Sequence, residues 1–252
     1  MDEPPTLSLA APAGHRIAYR HSPGRTPSVL FCGGYTSDMT GTKATFLEAH
    51  CRARGLAFTR FDYLGHGGSG GRFEDGTIGI WAEDAILVLD RVSPGPTIVV
   101  GSSMGGWIML LTALARPERV RALIGIAPAP DFTEDLLLPG AAPDQLAQLE
   151  RQGHWIQPSH YGDAPYVVTR ALLDDGRRNL LLRERIGIRC PVHLLHGQRD
   201  EAVPWQVSLR LAEQLESDEV TVELIKSGDH RLSRDGDLRR LGQVVDGFAS
   251  AE

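Results

Sequence analysis

The stretch Thr97-Ile98-Val99-Val100-Gly101-Ser102-Ser103-Met104-Gly105 carries an apolar, β-branched run directly into the pattern G-x-S-x-G. The run predicts a buried strand, and residues 106–115 predict a helix that leaves the turn. This context exposes the hydroxyl of Ser103 on a sharp turn, where a Cβ at Gly101 or Gly105 would clash. A chain with 28 glycines also produces the pattern by accident, and the flanking strand and helix are what favour Ser103 as a nucleophile.

A serine nucleophile needs a base, and the base needs an acid. Asp200 lies in the loop after the predicted strand 192–195, and His230 lies just after the predicted strand 221–225. Parallel strands bring their carboxyl ends to one edge of a sheet, where sites assemble in open α/β folds. The order Ser, Asp, His along the chain therefore predicts a triad of Ser103, Asp200 and His230.

Other residues compete for these roles. Asp200 could instead cap the helix predicted from residue 204, its neighbour Glu201 is also acidic, and Asp131 follows another predicted strand. His196 is close to the acid loop and could line the site without being the base. The remaining histidines are interpreted as ordinary surface or packed residues: His15, His21, His50, His154, His160 and His193.

A glycine pair follows the predicted strand 28–32, in the order Gly33-Gly34-Tyr35. The backbone N–H groups of Tyr35 and of Met104, the residue after the nucleophile, are the expected donors of an oxyanion hole. Gly34 would let the turn present the Tyr35 amide. The alternative is a plain Gly-Gly turn without a catalytic role.

Composition and the remaining motifs argue against phosphate-binding, metal-binding and nucleic-acid-binding proteins. Loop 60–70 is rich in glycine but matches neither phosphate-binding pattern, so His66 within it is expected to buttress the loop. The three cysteines have no metal-ligand spacing, and a net charge of −6 disfavours nucleic acid as a partner. We therefore predict no cofactor, no metal and no nucleic-acid partner.

Taken together, these motifs resemble the serine α/β-hydrolase superfamily. The segments that carry the resemblance span nearly the whole chain: Gly33-Gly34-Tyr35, Asp62-Tyr63-Leu64-Gly65-His66-Gly67-Gly68-Ser69, Gly101-Ser102-Ser103-Met104-Gly105-Gly106, His196-Gly197-Gln198-Arg199-Asp200 and Asp229-His230. Longer matches resemble the mitochondrial α/β-hydrolase domain proteins that act as palmitoyl-protein thioesterases and acyl-glucuronide hydrolases: Gly34-Tyr35-Thr36-Ser37-Asp38-Met39-Thr40-Gly41-Thr42-Lys43-Ala44, Ala115-Arg116-Pro117-Glu118 and Val203-Pro204-Trp205. The resemblance implies hydrolysis of acyl thioesters or carboxylic esters by the same triad. Gly33-Gly34 stands where the superfamily commonly has His-Gly, which leaves the exact position of that amide donor open.

The pattern of the chain predicts an α/β-hydrolase fold with a mostly parallel, doubly wound sheet of eight strands in a single domain, 1–252. The strands are expected near 6–10, 15–21, 28–32, 57–61, 97–100, 121–126, 192–195 and 221–225, the first two antiparallel. Residues 128–189 break the pattern, show no clear strand and are expected to form a small helical cap, with helical pieces at 143–152 and 166–174. Its apolar residues either wall an acyl pocket or only pack the cap: Phe132, Leu136, Leu137, Leu138, Trp155, Ile156 and Tyr161.

We expect an enzyme that cleaves small-molecule or protein-linked acyl substrates through an acyl-enzyme intermediate. An acyltransferase and a non-catalytic ligand receptor are the alternatives on this fold. Residues 1–5 are acidic and contain proline, unlike a signal or transit peptide, and no apolar stretch is long enough to span a membrane. These features predict a cytoplasmic location. The sequence does not indicate an oligomeric state.

Overall fold

Eight strands form one sheet in the computed structural model, which describes residues 3–157 and 165–250. Their order across the sheet is β1-β2-β4-β3-β5-β6-β9-β10. The bounds are β1 Leu7–Ala10, β2 Arg16–Ser22, β3 Arg25–Cys32, β4 Leu56–Phe61, β5 Thr97–Ser102, β6 Val120–Ile126, β9 Val192–Gly197 and β10 Val220–Ile225. All eight predicted strands are present, so the predicted α/β fold with its eight-stranded sheet is confirmed.

The sheet begins with an antiparallel pair, as the short connection between the first two strands predicts. β1 pairs with β2 and β2 pairs with β4 in antiparallel fashion, whereas β4, β3, β5, β6, β9 and β10 run parallel to one another. The carboxyl ends of β3, β5, β9 and β10 therefore meet at one edge of the sheet.

Helices cover both faces of this sheet, which is the doubly wound arrangement. They are α1 Thr42–Ala53, α2 Ile78–Arg91, α3 Met104–Ala115, α7 Gln206–Gln214 and α8 Asp235–Ser250. Side chains alternate between the faces: Val29 and Phe31 of β3 pack in the core beside α1 and α8, and Leu30 and Cys32 pack in the core beside α2 and α3. Because helices cover both faces, every residue of β5 is buried, and the turn that follows β5 starts from a rigid part of the core.

An insertion between β6 and β9 contains a π-helical turn Thr133–Leu137, α4 Leu138–Gly140, α5 Pro143–Gln152, β7 His154–Gln157, β8 Tyr166–Thr169 and α6 Arg170–Arg178. The prediction of no strand here is wrong, because β7 and β8 form an antiparallel hairpin. Residues 166–169 were expected to be helical, but α6 begins only at Arg170, where the Thr169 side chain accepts a hydrogen bond from the Leu172 N–H. Each strand has four residues, too few for alternation to identify them from sequence.

Candidate active site

Ser103 occupies the turn between β5 and α3 in a strained conformation. Its φ is 55° and its ψ is −120°, a region that residues other than glycine rarely adopt. The Ser103 N–H donates to the Ile126 carbonyl at 2.9 Å, and the Ser103 carbonyl accepts from the Ala129 N–H at 3.0 Å. These bonds to the end of β6 and the residues after it hold the strained turn, consistent with a functional position.

Two glycines permit the tight turn, as predicted. A Cβ on Gly101 would collide with the backbone of Gly105 and Gly106, and a Cβ on Gly105 would collide with the carbonyl groups of Cys32 and Gly33. Because these neighbours are backbone atoms of buried elements, they cannot move aside without disturbing the sheet.

We expect Gly105→Ala to destabilise the fold by about 2 kcal/mol or more, since the added methyl group overpacks the junction of α3 with β3. The matched control is Gly247→Ala in α8, where an added Cβ would have open space. There the same substitution should stabilise by about 0.5–1 kcal/mol, because alanine favours helix more than glycine does. Urea unfolding of both variants measures the difference, and equal stability of the two would contradict the tight packing of the turn.

The structure brings Ser103, His230 and Asp200 into hydrogen-bonding contact. His230 Nε2 lies 3.0 Å from Ser103 Oγ, and His230 Nδ1 lies 2.7 Å from Asp200 Oδ2. Ser103 and His230 are 127 residues apart in sequence and meet because β5 and β10 end at the same edge of the sheet. With Asp200 accepting from Nδ1–H, Nε2 is the unprotonated ring nitrogen and can accept the Ser103 hydroxyl proton.

Asp200 is fully buried and receives four donors. Oδ1 accepts from the N–H groups of Ala202 and Val203, at 2.9 and 2.8 Å, while Oδ2 accepts from His230 and, at 3.2 Å, from His196. Burial by itself raises the pKa of Asp200, but the hydrogen bonds from His196 and His230, the charge of His230 and the Val203 N–H together hold it well below its ordinary value. The carboxylate is therefore ionised at neutral pH.

The competing acids have other contacts. α7 begins at Gln206 with Trp205 as its N-cap, so Asp200 does not cap that helix. Asp131 is also buried, but its two oxygens accept from the N–H groups of Leu181 and Leu182 and hold the segment that follows α6. Glu201 is exposed.

The other described histidines have partners away from Ser103. His66 packs among Tyr63, Phe73 and Trp81 and contacts the Leu64 carbonyl, so it buttresses its loop as predicted. His196 is fully buried and does not line the pocket at Ser103, but it contacts Asp200. The remaining contacts are His15 with Asp84, His21 with Thr59, His50 with Asp246, His154 with Gln152 and His193 with Glu223; His160 lies outside the described residues.

The loop after β3 approaches the nucleophile through Gly34, whose position leaves only 3.5 Å between an added Cβ and the Ser103 Cβ. Met104 is the first residue of α3, where backbone N–H groups have no intrahelical acceptor. Across residues 3–157 and 165–250, neither the Met104 N–H nor the Tyr35 N–H donates to another backbone carbonyl. Both residues line the same cavity as Ser103.

Two residues of β4 and its following loop anchor this β3 loop, and sequence reasoning did not identify them. Asp62 Oδ1 accepts from the Met39 N–H at 2.6 Å, and Arg60 Nη1 donates to the Met39 carbonyl at 2.5 Å. From the cap side, the Tyr35 hydroxyl donates to the Val167 carbonyl of β8 at 3.0 Å. The β3 loop is therefore fixed from the sheet and from the cap. The one available signal was the position of Asp62 at the end of a strand.

A cavity of about 550 Å³ opens at Ser103, within the range of small-molecule sites. Part of its lining is apolar: Phe31, Met104, Ala129, Phe132, Leu136, Leu137, Tyr166, Ala202 and Val203. Of the cap residues predicted as a wall, Phe132, Leu136 and Leu137 line it. Leu138 packs against the core, Trp155 is fully buried, Ile156 is largely exposed, and Tyr161 lies outside the described residues. Trp107 is core too, its Nε1 donating to the Asn179 carbonyl.

The rest of the lining is polar and includes two cationic side chains, Lys43 and Arg231, with Asp38 as an acidic neighbour. Lys43 Nζ donates to the Arg231 carbonyl at 2.6 Å. Burial and, to a smaller extent, the charge of Arg231 lower the pKa of Lys43 to about 8, against the opposing effect of the Asp229 charge. The cavity thus has an apolar part and a polar part, and Ser103 lines the same cavity.

The described parts of the chain contain neither a candidate metal site nor a candidate membrane span. No three or more His, Cys, Asp or Glu side chains there are grouped so that they could hold a metal ion. No helix among residues 3–157 and 165–250 has the length and hydrophobicity needed to cross a bilayer.

Comparison with known proteins gives consistent matches over most of the chain. The family model described as serine aminopeptidase, S33, matches residues 25–170. The mouse protein named palmitoyl-protein thioesterase ABHD10, mitochondrial, is 43% identical over 233 residues, which cover 91% of this chain and 77% of that protein. The solved structure of a putative hydrolase from Agrobacterium vitis S4 superposes with a TM-score of 0.94 at 40% identity, covering 98% of this chain and 99% of the other. The structure of mouse α/β-hydrolase domain-containing protein 10 superposes with a TM-score of 0.89 at 39% identity, covering 97% of this chain and 98% of the other.

Proposed function

Because the chain belongs to the serine α/β-hydrolase superfamily and is a hydrolase, we propose that it cleaves acyl thioesters and carboxylic esters. In this proposal Ser103 is the nucleophile, His230 is the base, and Asp200 is the carboxylate that orients His230. The observation that carries this proposal is the position of His230, with one ring nitrogen 3.0 Å from Ser103 Oγ and the other 2.7 Å from Asp200 Oδ2. In this arrangement the imidazole can take the hydroxyl proton, while the buried carboxylate orients the imidazole and stabilises the imidazolium that forms.

In the first half of the reaction, His230 Nε2 accepts the proton of Ser103 as Oγ attacks the acyl carbonyl carbon. The carbonyl oxygen becomes an oxyanion, and the backbone N–H groups of Tyr35 and Met104 donate to it. The ionised Asp200 stabilises the imidazolium that forms. The bond from the carbonyl carbon to the thiol or alcohol then breaks, His230 returns the proton to the leaving group, and the acyl group stays on Ser103 as an ester.

In the second half, water takes the position of the leaving group. His230 removes a proton from this water, which attacks the ester on Ser103 and forms a second oxyanion between the same two amides. Collapse of this intermediate breaks the bond to Ser103 Oγ, and His230 returns the proton to Oγ. The carboxylic acid is released and the free enzyme is restored.

The apolar part of the cavity fits the acyl chain, and the polar part fits the leaving group. Phe132, Leu136 and Leu137 of the cap would cover the chain. Long-chain thioesters, the substrate type named for the mouse relative, are the class we propose here. Lys43 and Arg231 would lie towards the thiol or alcohol side.

We expect kcat/KM for acyl thioesters to rise with chain length from short acyl groups to C16. Burying a methylene contributes about 0.8 kcal/mol, so two added methylenes should raise kcat/KM by up to about tenfold until the apolar part is filled. Leu137→Trp, which fills that part, should move the optimum to shorter chains. Leu138→Trp is the control, since Leu138 does not line the cavity. Matched oxygen esters are assayed alongside.

Each other outcome of this assay points elsewhere. Fast cleavage of short oxygen esters alone would contradict the long-chain assignment and indicate a small-ester carboxylesterase. Tight binding without turnover would favour a ligand receptor, and transfer of the acyl group to an added acceptor in preference to water would favour an acyltransferase. The cytoplasmic location stays a prediction, because the name of the mouse relative places that protein in mitochondria.

A further inference from the structure

Asp200 is shared by two histidines. His196, the residue before the end of β9, is fully buried, and its Nε2 lies 3.2 Å from Asp200 Oδ2, the oxygen that also accepts from His230. His196 does not line the cavity, so it has no contact with a substrate held there. It acts on the site only through Asp200.

The surroundings of His196 determine where its proton lies. Nε2 is 3.0 Å from the Val203 carbonyl as well as 3.2 Å from Asp200 Oδ2, and both of these groups are acceptors. Nε2 therefore carries the proton and donates. Nδ1 lies 2.7 Å from Oγ of Ser208, a fully buried residue of α7, and accepts from that hydroxyl. The two acceptors at Nε2 thus set the tautomer in which His196 donates to Asp200, and the Ser208 hydroxyl satisfies Nδ1 in that tautomer.

We propose that His196, oriented by Ser208, is a positioning residue that fixes the Asp200 carboxylate and limits the strength with which its Oδ2 holds the proton of His230. This inference rests on the proposed function. The result is a hydrogen-bonded chain of five residues: Ser208, His196, Asp200, His230 and Ser103. Its two ends differ, because Ser103 lines the cavity and Ser208 is enclosed.

The electrostatic consequence has a definite sign. Two donors on one oxygen divide its negative charge, so each bond is weaker than it would be alone. Without the His196 donor, Oδ2 would stabilise the imidazolium of His230 more strongly. The pH at which kcat/KM falls to half its plateau on the acidic side should therefore rise. The carboxylate would also lose one of its four restraints, which should lower kcat.

The nearby charges are the same in every variant used below. Substitution at 196 or 208 leaves unchanged the ionisable residues next to Asp200 and His230 in sequence, which are Arg199, Glu201, Asp229 and Arg231, and the two others that line the cavity with His230, which are Asp38 and Lys43. A shift of the pH profile is then attributable to the lost donor.

The test compares His196→Phe with His196→Gln. Phenylalanine keeps a ring but removes the donor, whereas the glutamine side-chain amide can present an N–H near the position of Nε2. For His196→Phe we expect kcat to fall about tenfold with KM little changed, and the acidic midpoint of kcat/KM to rise by roughly 0.5 pH unit or more. In His196→Gln the acidic midpoint of kcat/KM should stay close to the wild-type value. Ser208→Ala should give a smaller shift in the same direction, since the imidazole loses the hydroxyl that satisfies its Nδ1.

A second readout follows the hydrogen bond itself. The proton between His230 Nδ1 and Asp200 is observable far downfield by proton NMR, and it should move further downfield in His196→Phe as that bond strengthens. If His196→Phe does not fold, His196→Gln and Ser208→Ala carry the same comparison. A folded His196→Phe or Ser208→Ala variant whose acidic midpoint and downfield resonance equal those of the wild type would overturn the inference. Such a result alongside an inactive Ser103→Ala variant would leave the proposed function intact, whereas an active Ser103→Ala would remove both.

Discussion

Ser103→Ala is expected to lower the turnover of acyl esters and thioesters by about 10³-fold or more. The variant removes the only atom that the proposed mechanism bonds to the acyl group. It keeps the backbone amides of Tyr35 and Met104, so substrate binding should change far less than kcat. Steady-state kinetics on one thioester and one oxygen ester, at saturating substrate, measure the loss.

The control for this loss is Ser102→Ala. Ser102 precedes the nucleophile and also lines the cavity, but the hydroxyl oxygen that lies 3.0 Å from His230 Nε2 is that of Ser103. Its replacement should cost far less in kcat than replacement of Ser103. Near wild-type turnover by Ser103→Ala, with its melting temperature unchanged, would refute the assignment of the nucleophile.

Asp200→Asn is expected to lower kcat by about 10³- to 10⁴-fold. Four N–H groups point at this side chain, from Ala202, Val203, His196 and His230. An asparagine amide has one acceptor oxygen, and its NH₂ group must then face a donor. The two donors no longer face each other if His230 carries its proton on Nε2 and accepts from the asparagine NH₂ group at Nδ1. That tautomer cannot take the proton of Ser103, so the loss arises from proton placement.

Asp131, another buried acid that follows a strand, provides the control. Asp131→Asn should reduce stability, because the carboxylate accepts from Leu181 and Leu182 in the fold, but kcat should stay within a few-fold of the wild type. Unfolding and kcat are measured for both variants. A larger loss of kcat in Asp131→Asn than in Asp200→Asn, with both proteins folded, would contradict this account. Asp131 would then be the carboxylate of the triad, and Asp200 would have a structural role.

The parts of the fold that could be predicted from the sequence are those whose signal is long or lies at a strand end. Each buried strand of the main sheet is a β-branched or apolar run followed by a turn, and the carboxyl ends of parallel strands must meet. This rule brings Ser103, Asp200 and His230 together although they are far apart in sequence. The hairpin of β7 and β8 was missed because its four-residue strands are defined by tertiary packing, with Trp155 and Val168 fully buried.

The remaining features depend on the directions of side chains, which sequence spacing does not give. His196 was expected beside the site, but its contact with the same oxygen as His230 requires the twist of β9 and the position of α7. Of the predicted cap wall, Trp155 is buried in the core, because the hairpin turns it away from the cavity. Lys43 and Arg231 come from α1 and the loop after β10, and only the fold brings them to one cavity.

The proposed mechanism requires the acyl group to pass through Ser103. The most direct measurement is rapid acid quench of the enzyme during turnover of a long-chain acyl thioester, followed by digestion and mass spectrometry of the peptide that contains residues 101–106. The account predicts that this peptide gains the mass of the acyl group on Ser103, and that the amount trapped increases in His230→Gln relative to its residual turnover. Full turnover with the acyl group found on another residue, or on none, would contradict it.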